Sequence, residues 1–309
     1  MVKNIRIEPR SARDITSMIE RVHRDLGYVD GKVQLTEVRE LLKLDLRYYQ
    51  LEDPGFQEEI IHKLKVGAKQ VIKRPKLLLD VIRKFDLSAL FLPDQKRIYI
   101  DGSVPDLKKR WYESHEIAHS VIPWHANYML GDNRSTLSPD CHETIEAEAN
   151  FGSGLLLFPS TVFTEARLSS ELNLGQIRGL AKQFGNTITS TLWRSVENNE
   201  EACFSTIGQH PHGIETDKAY IDYFVTSESF ERQFPHISAL DVWTWKNRYC
   251  RKTKTGPLGA AEIEIHDSNG EPHVFYIESF SNGHGVLTLG RWLRPKPIIV
   301  SMGSSSVLQ

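Results

Sequence analysis

The 309-residue sequence holds only three cysteines, Cys141, Cys203 and Cys250, far apart and with no C-x-x-C spacing. That scarcity excludes a disulfide framework and a cysteine-based zinc knuckle, and it points to a reduced, cytoplasmic setting. No run approaches the ~18 consecutive apolar residues of a membrane span, and the first ten residues contain no apolar signal core, so no membrane partner is expected. Neither sign of charge is in excess: 38 Lys plus Arg face 40 Asp plus Glu, a net charge of −2. A globally basic surface for nucleic acid or acidic lipid is therefore absent, although a local patch survives such averaging. What is present is an ordinary globular mixture, 40% hydrophobic and 25% charged, of a length that suits about two domains. There are also twelve histidines, several of them in one short stretch.

The first ~85 residues read mostly as helices by the spacing of their apolar positions. Residues 11–26 place Ile15, Met18, Ile19, Val22 and Leu26 on one face, with Gly27 as a C-terminal cap. A short segment over 35–42 and an alternating, strand-like stretch over 43–50 follow; two more helices are expected over 56–72 and 75–85. Residues 87–92 and 97–101, separated by Pro93-Asp-Gln-Lys96, carry a hairpin signature. A helix from about Asp106 then runs to a break at Pro123, a polar loop spans 128–140, and a second helix covers 143–157. Residues 161–198 read as three shorter helices, and the pair over 174–184 and 187–196, hinged at Gly185, has the outline of a helix-turn-helix. Beyond Glu200 the chain turns to short β runs, with Asp267-Ser-Asn-Gly270 as a hairpin turn.

His115-Glu116-Ile117-Ala118-His119 is an H-E-x-x-H motif. Residues four apart share a helix face, so both imidazoles can meet one metal ion while Glu116 stands beside them as general acid/base. Zn²⁺ suits two neutral imidazoles and activates water near neutral pH, so one zinc per chain is expected. A catalytic zinc needs a third protein ligand. In His142-Glu-Thr-Ile-Glu-Ala-Glu-Ala-Asn150, Glu146 and Asn150 share a face flanked by Ile145, Ala149 and Leu156, whereas Glu148 is expected to point roughly opposite. An inward carboxylate is costly unless it is paired or bound to metal, which favours Glu146 over Glu143 as the ligand. Asn150 is then placed to orient a ligating histidine. The competitor is His125, which stands after His119 at the spacing of a metzincin third ligand, although Ile122 occupies the position where that motif has glycine.

Arg97-Ile-Tyr-Ile-Asp101, Lys109-Arg-Trp-Tyr-Glu-Ser-His-Glu-Ile-Ala-His119, Glu146-Ala-Glu-Ala-Asn150 and Leu155-Leu-Leu-Phe-Pro159, in this order, resemble the ImmA/IrrE family of metallopeptidases. The resemblance covers about residues 85–200. It implies a zincin-like fold in which His115, His119 and Glu146 bind zinc and Glu116 is the general acid/base. It also implies a specific protein substrate, commonly a transcriptional repressor in a stress, phage or mobile-element response. The chain departs from the family pattern in two places: Ala118 stands where glycine is usual, and Gly152-Ser-Gly154 where Phe-Ala-Ala is usual.

The expected architecture is α+β. Residues 1–159 form N-terminal helices plus a zincin-like peptidase core, 160–199 a helix-turn-helix-like helical extension, and 200–300 a separate β-rich α+β C-terminal sensor or recognition domain; 301–309 form a loose tail. The expected function is zinc-dependent endopeptidase, with the strand Ile98, Tyr99 and Ile100 as the sheet edge along which a substrate peptide adds. The alternative is a DNA-binding regulator with a degenerate peptidase-like core, resting on the helix-turn-helix outline and on Arg178, Lys182 and Arg194, few basic residues for phosphate contact. Tyr112, Tyr128, Tyr223 and His142 are equal candidates for stabilising an oxyanion. Asp241-Val-Trp-Thr-Trp245 and Trp292 are expected in the core of the C-terminal domain rather than in a ligand pocket.

Overall fold

The structure, a computed structural model, describes residues 7–27, 31–50, 89–129, 139–212 and 221–296. The helices expected over 56–72 and 75–85, most of the polar loop over 128–140 and the tail lie outside these residues. The chain is mixed α+β and divides into two compact units. One holds the described residues through Ser170 together with Arg178–Thr191; the other holds Glu171–Ile177 and the described residues from Leu192 onward.

The first unit is built on α1 (Pro9–Asp25), α2 (Leu35–Leu42) and a three-stranded sheet of β1 (Asp45–Tyr49), β2 (Ala89–Leu92) and β3 (Arg97–Asp101). Four helices follow the sheet: α3 (Asp106–Val121), α4 (Pro123–Met129), α5 (Pro139–Leu157) and α6 (Ser160–Leu168). The unit also takes in the C-terminal part of α7 (Leu174–Phe184) and the start of α8 (Ile188–Glu197), so the division runs through both helices. Its core gathers Ile15 and Ile19 of α1, Val38 of α2, Ile98 and Ile100 of β3, Ile117 of α3 and Leu155–Leu157 of α5. Pro123 cannot donate into the α3 ladder, and the helix accordingly ends at Val121, with Ile122 extended before α4 restarts the chain.

The sheet order is β1-β3-β2, with β1 parallel to β3 from Asp45↔Arg97 to Tyr49↔Asp101, and β2 antiparallel to it from Ala89↔Ile100 to Leu92↔Arg97. This corrects the expectation for Ile98, Tyr99 and Ile100. They lie on the central strand, both of whose ladders are occupied, and all three are buried. A peptide cannot add there; among the described residues the outer strands are β1 and β2.

α3 and α5 pack closely where side chains are smallest. A Cβ added at Gly152 would lie 3.1 Å from Ala118 Cβ and 3.4 Å from Ile15 Cγ2. Ala118 and Gly152 therefore face each other across the crossing, and the missing side chain at Gly152 leaves room for the Ala118 methyl. Ser114 and Ser153 hydrogen-bond across the same crossing. Polar clamps fix α3 further. Arg39 Nε–H donates to Glu113 at 2.6 Å, and Arg110 donates to Val33 O at 2.7 Å and to Asn186 Oδ1 at 3.0 Å.

The second unit carries an antiparallel sheet in the order β5-β4-β8-β7-β6. Its strands are β4 (Cys203–Gly208), β5 (Ile221–Thr226), β6 (Gly256–His266), β7 (Pro272–Ser281) and β8 (Val286–Pro295), with helices α9 (Glu228–Gln233) and α10 (Ala239–Tyr249) inserted after β5. Phe204, Phe230, Phe234, Val242 and Phe275 form its core. The Phe204 ring lies where a Cβ on Gly290 of the neighbouring strand would stand, so only glycine fits there.

Candidate metal centre

The register of α3 puts His115 and His119 on one face, and α5 crosses it so that Glu146 meets both. The two Nε2 atoms are 3.1 Å apart. Glu146 Oε2 lies 3.1 Å from His115 Nε2, and Oε1 lies 3.7 Å from His119 Nε2. A tetrahedral zinc with bonds of about 2.0–2.1 Å separates its ligand atoms by about 3.3 Å, so these donors fit such an ion in both type and spacing. Among the described residues, no other group of three or more His, Cys, Asp or Glu converges in this way. Glu143, the weaker sequence candidate, is exposed and outside the group.

Glu116 is 6% exposed on the adjoining flank of α3, and the Phe91 backbone N–H of β2 donates to its carboxylate. Burial pushes the Glu116 carboxyl up to about 7, against the attraction of His115. For His115, burial disfavours the charged ring, but the bond to Glu146 and the negative charges of Glu116 and Glu146 outweigh it, and its pKa is raised. Asn150, one turn beyond Glu146, stands with Oδ1 3.1 Å from His115 Nδ1. Asn150 therefore stands beside the Nδ1 side of the His115 ring, the side opposite the nitrogen that faces Glu146.

His125 is wholly buried, and it stands behind His119 rather than among the three donors. Its Nδ1 is 2.9 Å from His119 Nδ1, and its Nε2 is 3.0 Å from Glu148 Oε2. Both ring nitrogens are thus engaged away from the cluster. Glu148 is the residue sequence reasoning missed. It is buried, not turned opposite, and it also accepts from Trp124 Nε1–H at 2.6 Å. The signal was available: Ile145, Glu148, Ala149 and Gly152 form an i, i+3, i+4, i+7 stripe, the inward face of α5, with Glu146 at its border.

Of the oxyanion candidates, Tyr112 packs against the core of the first unit, and Tyr223 packs against Trp193 within the second; the side chains of Tyr128 and His142 lie outside the described residues. In the sheet unit, His210 and His212 bond to the carbonyls of Thr253 and Cys250, and Trp292 donates to His273. Trp243 is buried, and Trp245 and Trp292 pack against the core as expected. α7 and α8 are joined by a short turn with Gly185 at φ +66°. Arg194, one of the three basic residues of that element, is buried beside Glu197, while Arg178 and Lys182 are exposed.

The fold and the site together define a mixed α+β protein with a candidate His-His-Glu metal centre. Among the described residues, no helix is long and apolar enough to cross a membrane. No family model and no curated protein matches the sequence. A solved structure of a Mycobacterium tuberculosis transcriptional regulator is similar in fold, with a TM-score of 0.54 at 12% identity, covering 91% of this chain and 76% of its own.

Proposed function

We propose that the chain is a zinc-dependent endopeptidase with a zincin-like core, acting on a specific regulatory protein. The observation that carries this reading is the convergence of His115 Nε2, His119 Nε2 and a Glu146 carboxylate at the spacing of a tetrahedral ion, with Glu116 buried alongside. Zinc held there supplies Lewis-acid polarisation of a carbonyl and activation of water. Glu116, buried on the flank of the donors, takes up the proton of the attacking water and returns it to the leaving amine. Phe91 donates to Glu116 from β2, which makes β2 the strand beside which an extended substrate would lie. The choice of a regulatory protein as substrate rests on the resemblance to ImmA/IrrE peptidases.

Elemental analysis of chelator-stripped and zinc-reconstituted protein, joined to a search for new protein N-termini in a cell extract, tests this. About one zinc per chain is expected, lost in Glu146→Ala, and Glu116→Gln should keep the metal and abolish cleavage. Cleavage by Glu116→Gln would sink the mechanism. Wild type that takes up no zinc would move a second reading to first place, a transcriptional regulator with a degenerate core, which the fold likeness to the mycobacterial regulator favours.

A further inference from the structure

We propose that Glu148 and His125 form a buried relay that fixes His119 in the tautomer presenting a bare Nε2 to the cluster. The inference rests on the metal-centre reading above and concerns how the site is held in shape.

The proton inventory runs one way along the chain. Indole Nε1–H can only donate, so the Trp124 contact at 2.6 Å marks Glu148 Oε2 as an acceptor. The same oxygen lies 3.0 Å from His125 Nε2, which therefore carries its proton there. A neutral His125 then has a bare Nδ1, and this atom faces His119 Nδ1 at 2.9 Å. His119 must supply the proton for that bond, which leaves its Nε2 as a lone pair. That atom stands 3.1 Å from His115 Nε2 and 3.7 Å from Glu146 Oε1.

The reverse polarity would put a hydrogen of His119 into the space between the three donors and would oppose His125 Nε2 as an acceptor to an acceptor oxygen. The relay is largely buried: Glu148 is 4%, His125 0% and His119 3% exposed. Its polarity is therefore set chiefly by bonds within the protein. His115 is anchored by Asn150 at the more exposed side of the site, so the two histidines are oriented by independent devices. Glu148 and His125 act through His119 and are positioning residues.

Two measurements test the relay. Nitrogen-15 NMR of the histidine rings in metal-free protein, at mildly alkaline pH, should show His119 protonated at Nδ1 and His125 at Nε2. Glu148→Leu should turn His119 into a mixture of tautomers. Zinc affinity by chelator competition should fall about 10–100-fold in His125→Phe, which keeps a ring but no acceptor. His125→Asn, whose Oδ1 falls where the imidazole Nδ1 stood, should recover most of that loss. An Nε2–H tautomer at His119 in wild type would overturn the proposal. So would equal affinity in His125→Phe and wild type, or an equal loss in the Phe and Asn variants that both remain folded by circular dichroism. Failure of wild type to bind zinc would overturn the peptidase reading instead, while the tautomer remains readable in the metal-free protein.

Discussion

Lys246 carries its ammonium into the interior of the sheet unit, with no carboxylate hydrogen-bonded to it among the described residues. Its Nζ lies 3.3 Å from the Gln209 carbonyl and 4.4 Å from the centre of the Trp243 ring, and the side chain is fully buried. Burial pushes its pKa down to about 8. The sign of the consequence follows from proton counting. Between about 8 and the ordinary lysine value the unfolded chain binds more protons than the folded one, so Lys246 contributes stability that rises with pH over that window. Below it both states are charged and the full desolvation penalty stands, roughly 3 kcal/mol. Lys246→Met should therefore stabilise the protein at pH 7 by roughly 1–3 kcal/mol, part of the gain being offset by the carbonyl left behind. The difference between variant and wild type, measured by denaturant unfolding, should shrink as pH rises to 10. Taking the difference removes the opposite contribution of Tyr249, which burial holds in its protonated form. Cys250, raised by burial but drawn down by the Lys246 charge, moves further up in the variant, so its own pH dependence is measured separately in Cys250→Ala. A gap that stays constant with pH would show that the lysine is not paying this penalty.

At the scale of elements, the spacing of the candidate donors depends on how closely α3 and α5 approach, and Gly152 lets them approach closely. Alanine there meets Ala118 Cβ at 3.1 Å, a few tenths of an ångström too close, while helix propensity returns about 1 kcal/mol, so Gly152→Ala should be near neutral. Gly152→Val adds branches that the crossing cannot hold; a loss of about 1–3 kcal/mol is expected, with a weaker zinc site as His115 and His119 are levered from Glu146. Unchanged zinc affinity in a folded Gly152→Val would mean that the crossing does not set the donor spacing. The elements themselves were largely legible. α1, the β2–β3 hairpin, α3, α7 and α8 lie close to where apolar spacing and Pro or Gly punctuation place them, and the short segment over 35–42 proves to be the helix α2. The candidate donors His115, His119 and Glu146 were legible as a group because His115 and His119 stand four apart on one helix and Glu146 lies on the facing helix. What was not legible depended on pairing between distant segments. Nothing in the alternation of Arg97–Asp101 says that the strand over Asp45–Tyr49 closes its second ladder. α9 and α10 hid among β runs, yet the Ser238 and Asp241 capping box is written in the sequence as Ser-Ala-Leu-Asp. Glu148 was misplaced because a carboxylate was weighed only as a ligand, not as the buried partner of a histidine further back.

At the scale of the whole molecule, the described residues divide into two units with separate cores, one mixing aliphatic Ile15, Ile98, Ile117 and Leu156 with Phe158, Phe163 and Phe184, the other centred on Phe204, Phe230 and Phe275. All three donors, the relay and the Asn150 anchor belong to the first. A ligand that binds only the native form stabilises it by mass action, about 4 kcal/mol at a free concentration a thousandfold above Kd. That stabilisation falls on the openings that break the site. Hydrogen exchange should therefore slow on zinc addition in α3 and α5, the two helices whose crossing aligns the donors, and in α4, which carries His125. Exchange in β4, β7 and β8 should stay as it was, since opening that sheet leaves the donor set intact. The effect should vanish in Glu146→Ala, where two imidazoles alone bind zinc weakly. Zinc-dependent slowing confined to the sheet unit would place the ion elsewhere, at histidines such as His210 and His212, and would count against the α3–α5 centre. Equal slowing throughout both units would mean that they open as one cooperative block. The two outcomes are separable peptide by peptide, because the donors and the sheet share no segment of chain.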